Sequence, residues 1–272
     1  MDVQSIHQRT IIVTGANKGI GYAIVEKLLQ SANSYNIILT SRDPNLGQEA
    51  VKKLGSTQTQ TSSLLTYHQL DVNDDKSIQG LIDWLNKDKL RVDVLVNNAG
   101  VMIPVANLEQ RRKTIQTNYT SLVNLTEKLL PVLTEDAKII NISSILGSFS
   151  CISPSLKKEL EKPNLTEKEL QQIAANIEDY LKDFKGSFEG SYCASKALVN
   201  AYTRWVLTQK LKPTQQCFSL APGWCQTELG GKEAPLPVEA GADTPVYLIE
   251  LPFKNHPELN GMFLEKRQVI PF

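Results

Sequence analysis

From residue 10 to about residue 150 the chain alternates short β-branched runs with longer segments of helical periodicity, and few architectures accept that rhythm. The runs are TIIVT (10–14), NIILT (36–40), LTYHQL (65–70), VDVLVN (92–97) and AKIINI (137–142). Each is nearly continuous in apolar residues, as strands covered by helices on both faces must be. Between them, segments such as GYAIVEKLLQ and KSIQGLIDWLNK repeat apolar residues at helical spacing. Strand and helix in strict alternation, joined by right-handed crossovers, predict an α/β fold with a doubly wound parallel sheet of Rossmann type.

Residues 149–190 break the pattern with a polar, charged stretch that does not read as another strand–helix unit. It carries its own helix signal in LTEKELQQIAANIEDYLKDF. Thr166 with Glu169 forms a capping box, and Leu165 with Leu170 is placed as a hydrophobic staple. Leu170, Ile173, Ala174, Ile177, Leu181 and Phe184 then mark one apolar face. A lone helix of this length is marginal in water, so the stretch is expected to be a helical insertion packed onto the domain. The regular pattern resumes with a helix at about 192–211, a strand at CFSLA (217–221), a Pro/Gly-rich loop (222–240), a short helix near 239–251 and a last strand at GMFLE. No linker separates a second domain, so residues 1–272 read as one.

The first strand runs directly into TGANKGIG and then a helix. In that context Gly15, Gly19 and Gly21 present bare backbone N–H groups at a positive helix end, where a pyrophosphate approaches closely. A tight structural turn is the other reading of the same glycines. The second strand ends ILTSRD: Thr40 and Ser41 stand where a ribose-binding acid belongs, Arg42 follows, and Lys18 lies inside the glycine turn. Two cations there fit a 2′-phosphate and favour NADPH over NADH. Asp43 is the competing feature, because a small slip in register would let it serve as the ribose acid.

Further along, SYCASK sets Tyr192 and Lys196 four residues apart, on one face of a helix. A lysine ammonium close to a tyrosine favours the tyrosinate and is expected to lower a pKa of about 10. The charges balance, 29 basic against 29 acidic residues, so no basic excess points to nucleic acid or an anionic membrane. Cys151, Cys193, Cys217 and Cys225 fit no zinc spacing and no disulfide framework. MDVQSIHQRT lacks the apolar core of a signal peptide, and nowhere do 18 apolar residues run together, which predicts a soluble cytoplasmic protein.

TGANKGIG, LDV (70–72), NNAG (97–100), NISS (141–144), YCASK (192–196) and PGWCQT (222–227) resemble, in order, the motifs of the short-chain dehydrogenases/reductases. The likeness spans essentially the whole chain. Within the family it is similar to the monomeric NADPH-dependent carbonyl reductases, by Lys18 and Arg42, by the PGW loop, and by the 48 residues between Ser144 and Tyr192, where common members have about a dozen. In that group the insertion covers the helix surface used for tetramer formation, which implies a monomer.

The resemblance implies Tyr192 as general acid and Lys196 as its tuner and as a ligand of the nicotinamide ribose. Ser144 would hydrogen-bond the substrate oxygen, and Asn118 would position a water linking Lys196 to solvent. It places Gly15, Asn17, Lys18, Gly19, Ile20, Gly21 and Arg42 against the dinucleotide, Asp71 and Val72 at adenine, and Asn98 at the ribose. Cys225, Gln226 and Thr227 would meet the carboxamide and phosphates; Cys225 stands where an aliphatic residue is usual, which affects fine pocket shape. Leu146, Trp224, Leu229 and Ile103 are expected to wall an apolar pocket with Ser144 and Tyr192 aimed at one oxygen, suiting hydrophobic or aromatic aldehydes, ketones and quinones. The competing readings are an NADP-dependent dehydrogenase of a steroid, terpenoid or alkaloid alcohol, and an NADP-binding protein without chemistry.

Overall fold

The computed structural model describes residues 8–57, 62–104, 107–186, 189–252 and 256–272. The polar segment at 1–7, read above for a targeting signal, lies outside the described residues, as do 187 and 188 of the 149–190 stretch. Eight strands form one sheet: β1 (Arg9–Val13), β2 (Tyr35–Ser41), β3 (Leu64–Gln69), β4 (Val92–Asn97), β5 (Leu133–Ile142), β6 (Gln216–Ala221), β7 (Phe263–Glu265) and β8 (Gln268–Val269). Their order is β3-β2-β1-β4-β5-β6-β7-β8. Every pair is parallel except β7 with β8.

Along the chain the helices are α1 (Gly19–Leu29), α2 (Pro44–Thr57), α3 (Asp75–Lys87), α4 (Leu108–Ile115), α5 (Ser121–Leu129), α6 (Pro154–Leu160), α7 (Glu167–Ala175), α8 (Ile177–Leu181), α9 (Gly190–Ala201), α10 (Thr208–Lys210), α11 (Val238–Gly241) and α12 (Asp243–Glu250). A π-helical turn at Gln116–Thr120 joins α4 to α5, and another at Tyr202–Leu207 joins α9 to α10.

Because side chains alternate along a strand, each strand feeds two cores. Ile11, Val13, Ile37, Leu39, Val94 and Val96 pack with α1, α2 and α12 on one face. Ile12, Ile38, Leu95 and Ile139 pack with α3, α5 and α9 on the other. The strand expectations hold within a few residues, with two corrections. LTYHQL does not belong to a doubly covered strand: β3 is the sheet edge, and its side chains are exposed or half-buried. The hairpin to β8 was not anticipated, because its two turn residues, Lys266 and Arg267, hold positive φ (48° and 64°) without glycine or asparagine. A bidentate pair from Arg267 to Asp243, with Nε–Oδ2 of 2.8 Å, secures that turn.

In the 149–190 stretch the capping box at Thr166 and Glu169 is present. The expected single helix is two, α7 and α8, broken at Asn176 (φ −108°, ψ 27°), whose Nδ2 donates to the Gln172 carbonyl at 2.9 Å. Leu156, Leu160, Leu165, Leu170, Ile173 and Ile177 are buried in the same core as Ala194 and Leu198 of α9. These helices therefore lie directly against the helix that carries Tyr192.

Candidate active site

In this strand order β1 and β4 are neighbours whose following helices depart to opposite faces, which opens a crevice beyond their carboxyl ends. The chain leaving β1 turns there, with Gly15 and Gly19 at φ +61° and +60°, conformations that L side chains avoid. Gly21 is fixed by space: a Cβ there would sit 2.5 Å from Asn98 Nδ2 and 2.9 Å from Ala16 Cα and the Gly15 carbonyl oxygen. α1 begins without a side-chain cap or any acidic residue in its first turn, so its first N–H groups and the positive end of its dipole are left for an anion. Asn17 and Ile20 are half-buried in this turn.

Asn98, expected in the ribose region, fixes the turn with its amide. Nδ2 donates to the Thr14 and Gly15 carbonyls at 2.8 and 3.2 Å, while Thr14 Oγ1 accepts from the backbone N–H of Asn98 and Ala99 at 2.9 and 3.0 Å. At the end of β2, Thr40 and Ser41 are buried and bonded to backbone, so Arg42 is the first exposed side chain. Asp43 Oδ1 accepts from the N–H groups of Asn45 and Leu46 at 2.8 and 3.2 Å, capping the start of α2. That engagement weighs against Asp43 as a ribose acid. Asp71 is likewise occupied: Oδ1 accepts from Asn73 N at 2.9 Å, in the turn before α3, and Val72 packs on the core.

A second cluster gathers beside the turn. Asn118 lies in the π-helical turn, a wider coil common at functional sites. Its Oδ1 accepts from Val101 N (2.7 Å), and its Nδ2 donates to the Val101 carbonyl (2.8 Å) and Ser195 Oγ (3.0 Å). Ser195 Oγ in turn donates to the Tyr192 carbonyl at 2.7 Å. A Cβ on Gly100 would stand 3.2 Å from Asn118 Oδ1 and 3.5 Å from Lys196 Nζ. Residues 98–101 therefore touch both groups: Asn98 and Ala99 hold the glycine turn, while Gly100 and Val101 border Asn118 and Lys196.

α9 is buried along its whole length. Lys196 Nζ donates to the Ile142 carbonyl at 2.9 Å and lies 5.7 Å from the centre of the Tyr192 ring. Ser144 Oγ accepts from Leu146 N at 3.2 Å, capping a short 3₁₀ turn, and its side chain lies close enough to that of Tyr192 to influence its proton. The expected lowering of the tyrosine pKa is not what this geometry gives. Burial pushes Tyr192 up to about 12, and the opposing influence is the nearby Ser144 side chain. Burial also lowers Lys196 to about 8, so the ammonium is the more readily lost proton.

The residues expected to wall an apolar pocket lie mostly open to solvent. Trp224 is 57% exposed, which excludes core packing, and its Nε1 donates to the Gly230 carbonyl at 2.7 Å. Leu229, Met102 and Ile145 are exposed, and Ile103 and Leu146 half-buried. Cys225 is buried, with Sγ close to Gly241 where Ile20 also packs, and burial raises its thiol pKa. Gln226 spans the loop through Nε2 to the Ala234 carbonyl at 3.1 Å. Thr227 Cγ2 lies 3.5 Å from the Cβ position of Gly19, so the loop touches the glycine turn.

Sequence reasoning missed Thr14, Ser143, Gly147, Ser195 and Glu228. Ser143 Oγ donates to the Lys196 carbonyl at 3.1 Å. A Cβ on Gly147 would meet the Lys196 backbone at 2.7 Å. Its place three residues after Ser144 was the only signal. Glu228 pairs with Lys18 from 210 residues away, a contact without local signature.

Against known proteins, the family model described as short chain dehydrogenase matches residues 9–155. The chain is 33% identical to carbonyl reductase [NADPH] 1 of Sus scrofa, over 98% of this chain and 95% of that one. It is 32% identical to (+)-neomenthol dehydrogenase of Arabidopsis thaliana, over 97% and 98%. The solved structure of salutaridine reductase from Papaver somniferum superposes with a TM-score of 0.84 at 28% identity, covering 95% of this chain and 100% of that one. With the ordered motifs, the sheet order and these likenesses in agreement, the chain belongs to the short-chain dehydrogenase/reductase family.

Proposed function

We propose that this protein is an NADPH-dependent carbonyl reductase that converts hydrophobic or aromatic aldehydes, ketones and quinones to alcohols. One observation carries the reading: the side chains of Ser144 and Tyr192 come together beside Lys196, and residues 98–101 join that cluster to a glycine turn suited to a dinucleotide. The turn fits the cofactor because Gly21 has no room for a Cβ and α1 leaves its first N–H groups uncapped. The likeness to carbonyl reductase [NADPH] 1 supports the same reading.

Bound NADPH supplies a hydride to the carbonyl carbon. Ser144 and Tyr192 hold the carbonyl oxygen by hydrogen bonds, and Tyr192 O–H gives it a proton as the C=O π bond breaks, so that ketone, hydride and proton together make the alcohol. The tyrosinate left behind is stabilised by the Lys196 ammonium, which also binds the nicotinamide ribose. Asn118 holds the water through which the proton is replaced. Gly15, Asn17, Gly19, Ile20 and Gly21 contact the dinucleotide, Lys18 and Arg42 take the 2′-phosphate, Asp71 and Val72 flank adenine, and Gln226 and Thr227 lie toward the carboxamide and phosphates. The deciding assay is consumption of NADPH and of NADH against quinones, aromatic aldehydes and diketones. KM should be lower for NADPH, and Arg42→Ala should narrow the gap; equal KM values would remove the 2′-phosphate argument.

The two pKa values give a pH profile. Lys196 has a folded pKa of about 8, so its cation is populated below that pH and lost as pH rises through it, while Tyr192, at about 12, keeps its proton throughout. Reduction measured as kcat/KM should be level to about pH 7 and decline above about pH 8. A rate still level near pH 10, about two units above the lysine, would show that the charge on Lys196 is not required.

A second reading, oxidation or reduction of a terpenoid or alkaloid, is favoured by the likenesses to (+)-neomenthol dehydrogenase and salutaridine reductase. Alcohols of these classes with NADP⁺ separate the two. The presence of Asn118, Ser144, Tyr192 and Lys196 in one cluster weighs against a binding protein without chemistry. The protein acts as a cytoplasmic monomer of one domain: α6, α7 and α8 cover the outer side of α9, and among the described residues no helix is long and apolar enough to cross a membrane.

A further inference from the structure

Lys18 is not idle at the mouth of the glycine turn. Its Nζ is paired with Oε2 of Glu228, a residue of the loop that carries Trp224. The contact belongs to a short zipper between turn and loop. Gly19, next to Lys18, abuts Thr227, next to Glu228, with Thr227 Cγ2 at 3.5 Å from the Gly19 Cβ position. Thr227 Oγ1 accepts from Gly230 N at 2.9 Å, and the Gly230 carbonyl accepts from Trp224 Nε1 at 2.7 Å. A cation that faces the cofactor is thus already engaged by a carboxylate whose loop also presents the aromatic wall.

From this arrangement we infer that Glu228 is a specificity-determining residue that acts through Lys18, competing with the 2′-phosphate of NADPH for the ammonium. The inference rests on the NADPH reading above. A 2′-phosphate carries close to two negative charges and cannot share Lys18 with a carboxylate without like-charge repulsion. Binding NADPH therefore requires Glu228 to release Lys18, whereas NADH, with a neutral 2′-hydroxyl, leaves the pair intact. Both side chains are more than half exposed, so the pair is easily exchanged, and its weight is that of a surface ion pair. Glu228 thus restrains NADPH affinity, and release of the pair frees one tie between the Trp224 loop and the turn.

The test is equilibrium binding, read from reduced-nicotinamide fluorescence, of NADPH and NADH to the unsubstituted protein, Glu228→Gln, Lys18→Met and the double variant. Glu228→Gln should tighten NADPH about two- to fivefold and leave NADH unchanged. The gain should shrink at high salt and vanish in the Lys18→Met background. An equal change for both cofactors, no change for NADPH, or a gain that survives without Lys18 would overturn the assignment. Absence of binding of either dinucleotide by the unsubstituted protein would instead overturn the cofactor reading, and this inference with it. Neither exposed side chain is part of a core, so the variants are expected to fold as the parent does, and matching melting temperatures verify it.

Discussion

Tyr192→Phe should leave NADPH binding within about twofold of the parent while kcat falls roughly a hundred- to ten-thousandfold, the range expected when a positioned general acid is removed. Phenylalanine keeps the ring, its packing in α9 and the face presented to Lys196 at 5.7 Å. What disappears is the hydroxyl beside Ser144, and with it the proposed source of the proton for the carbonyl oxygen. The glycine turn is held by Thr14 and Asn98, which the substitution does not touch. Stopped-flow reduction and cofactor titration on the same preparation measure both quantities. Substantial residual turnover, above about a tenth of the parent rate, would rule out Tyr192 as the acid. A parallel loss of cofactor affinity would make it a structural residue instead.

The second large effect should come from a residue that touches no ligand. Gly147→Ala puts a methyl 2.7 Å from the Lys196 carbonyl carbon and 2.9 Å from its oxygen, and both belong to a helix buried on every side. Backbone so enclosed cannot give way cheaply, and overpacking of this kind costs about 1–3 kcal/mol. Each kcal/mol should lower Tm by about 2–4 °C, and because the displaced residue is Lys196 itself, kcat should fall as well. Gly80→Ala in α3 is the control, since a Cβ there meets nothing within 4 Å. That change should raise stability by about 0.5–1 kcal/mol, the ordinary gain of alanine over glycine within a helix. If Gly147→Ala melted and turned over like the parent, the tight approach between the Ser144 turn and α9 would carry no weight.

Most of the fold was legible because its signals are local. Buried parallel strands announce themselves as apolar runs, and β4 was read to the residue. The capping box at Thr166 was visible for the same reason, since three residues of spacing contain its geometry. The reading failed where the answer depends on distant neighbours. LTYHQL has the same apolar look as its siblings, yet only the sheet order reveals that β3 is an edge. The break at Asn176 lies within a helical periodicity that is continuous in sequence. For the site, motifs brought Asn118, Ser144, Tyr192 and Lys196 forward, and the structure assembles them. They gave the wrong sense for Tyr192, because a four-residue spacing reports that a lysine is near but not that burial outweighs it. They placed Asn98 by the dinucleotide but did not show that its amide is bonded to the backbone of the turn. A motif marks that a residue is needed, and only contacts say for what.

Residues 98–101 divide the molecule into a part that can drift and a part that cannot. The groups proposed to choose the cofactor and the substrate, Lys18, Arg42, Trp224, Leu229 and Glu228, are exposed or held by single contacts. Of the groups proposed to carry the chemistry, Asn118, Tyr192 and Lys196 are buried, and Asn118 is bonded to Val101, next to the residues that secure the glycine turn. On the proposed roles, substitutions at the rim should retune what is reduced and by which cofactor without reaching the proton donor, whereas a change in the four-residue tie should disturb both functions at once. For protein engineering this sets the order of work: libraries belong at the rim, and the tie should be held constant.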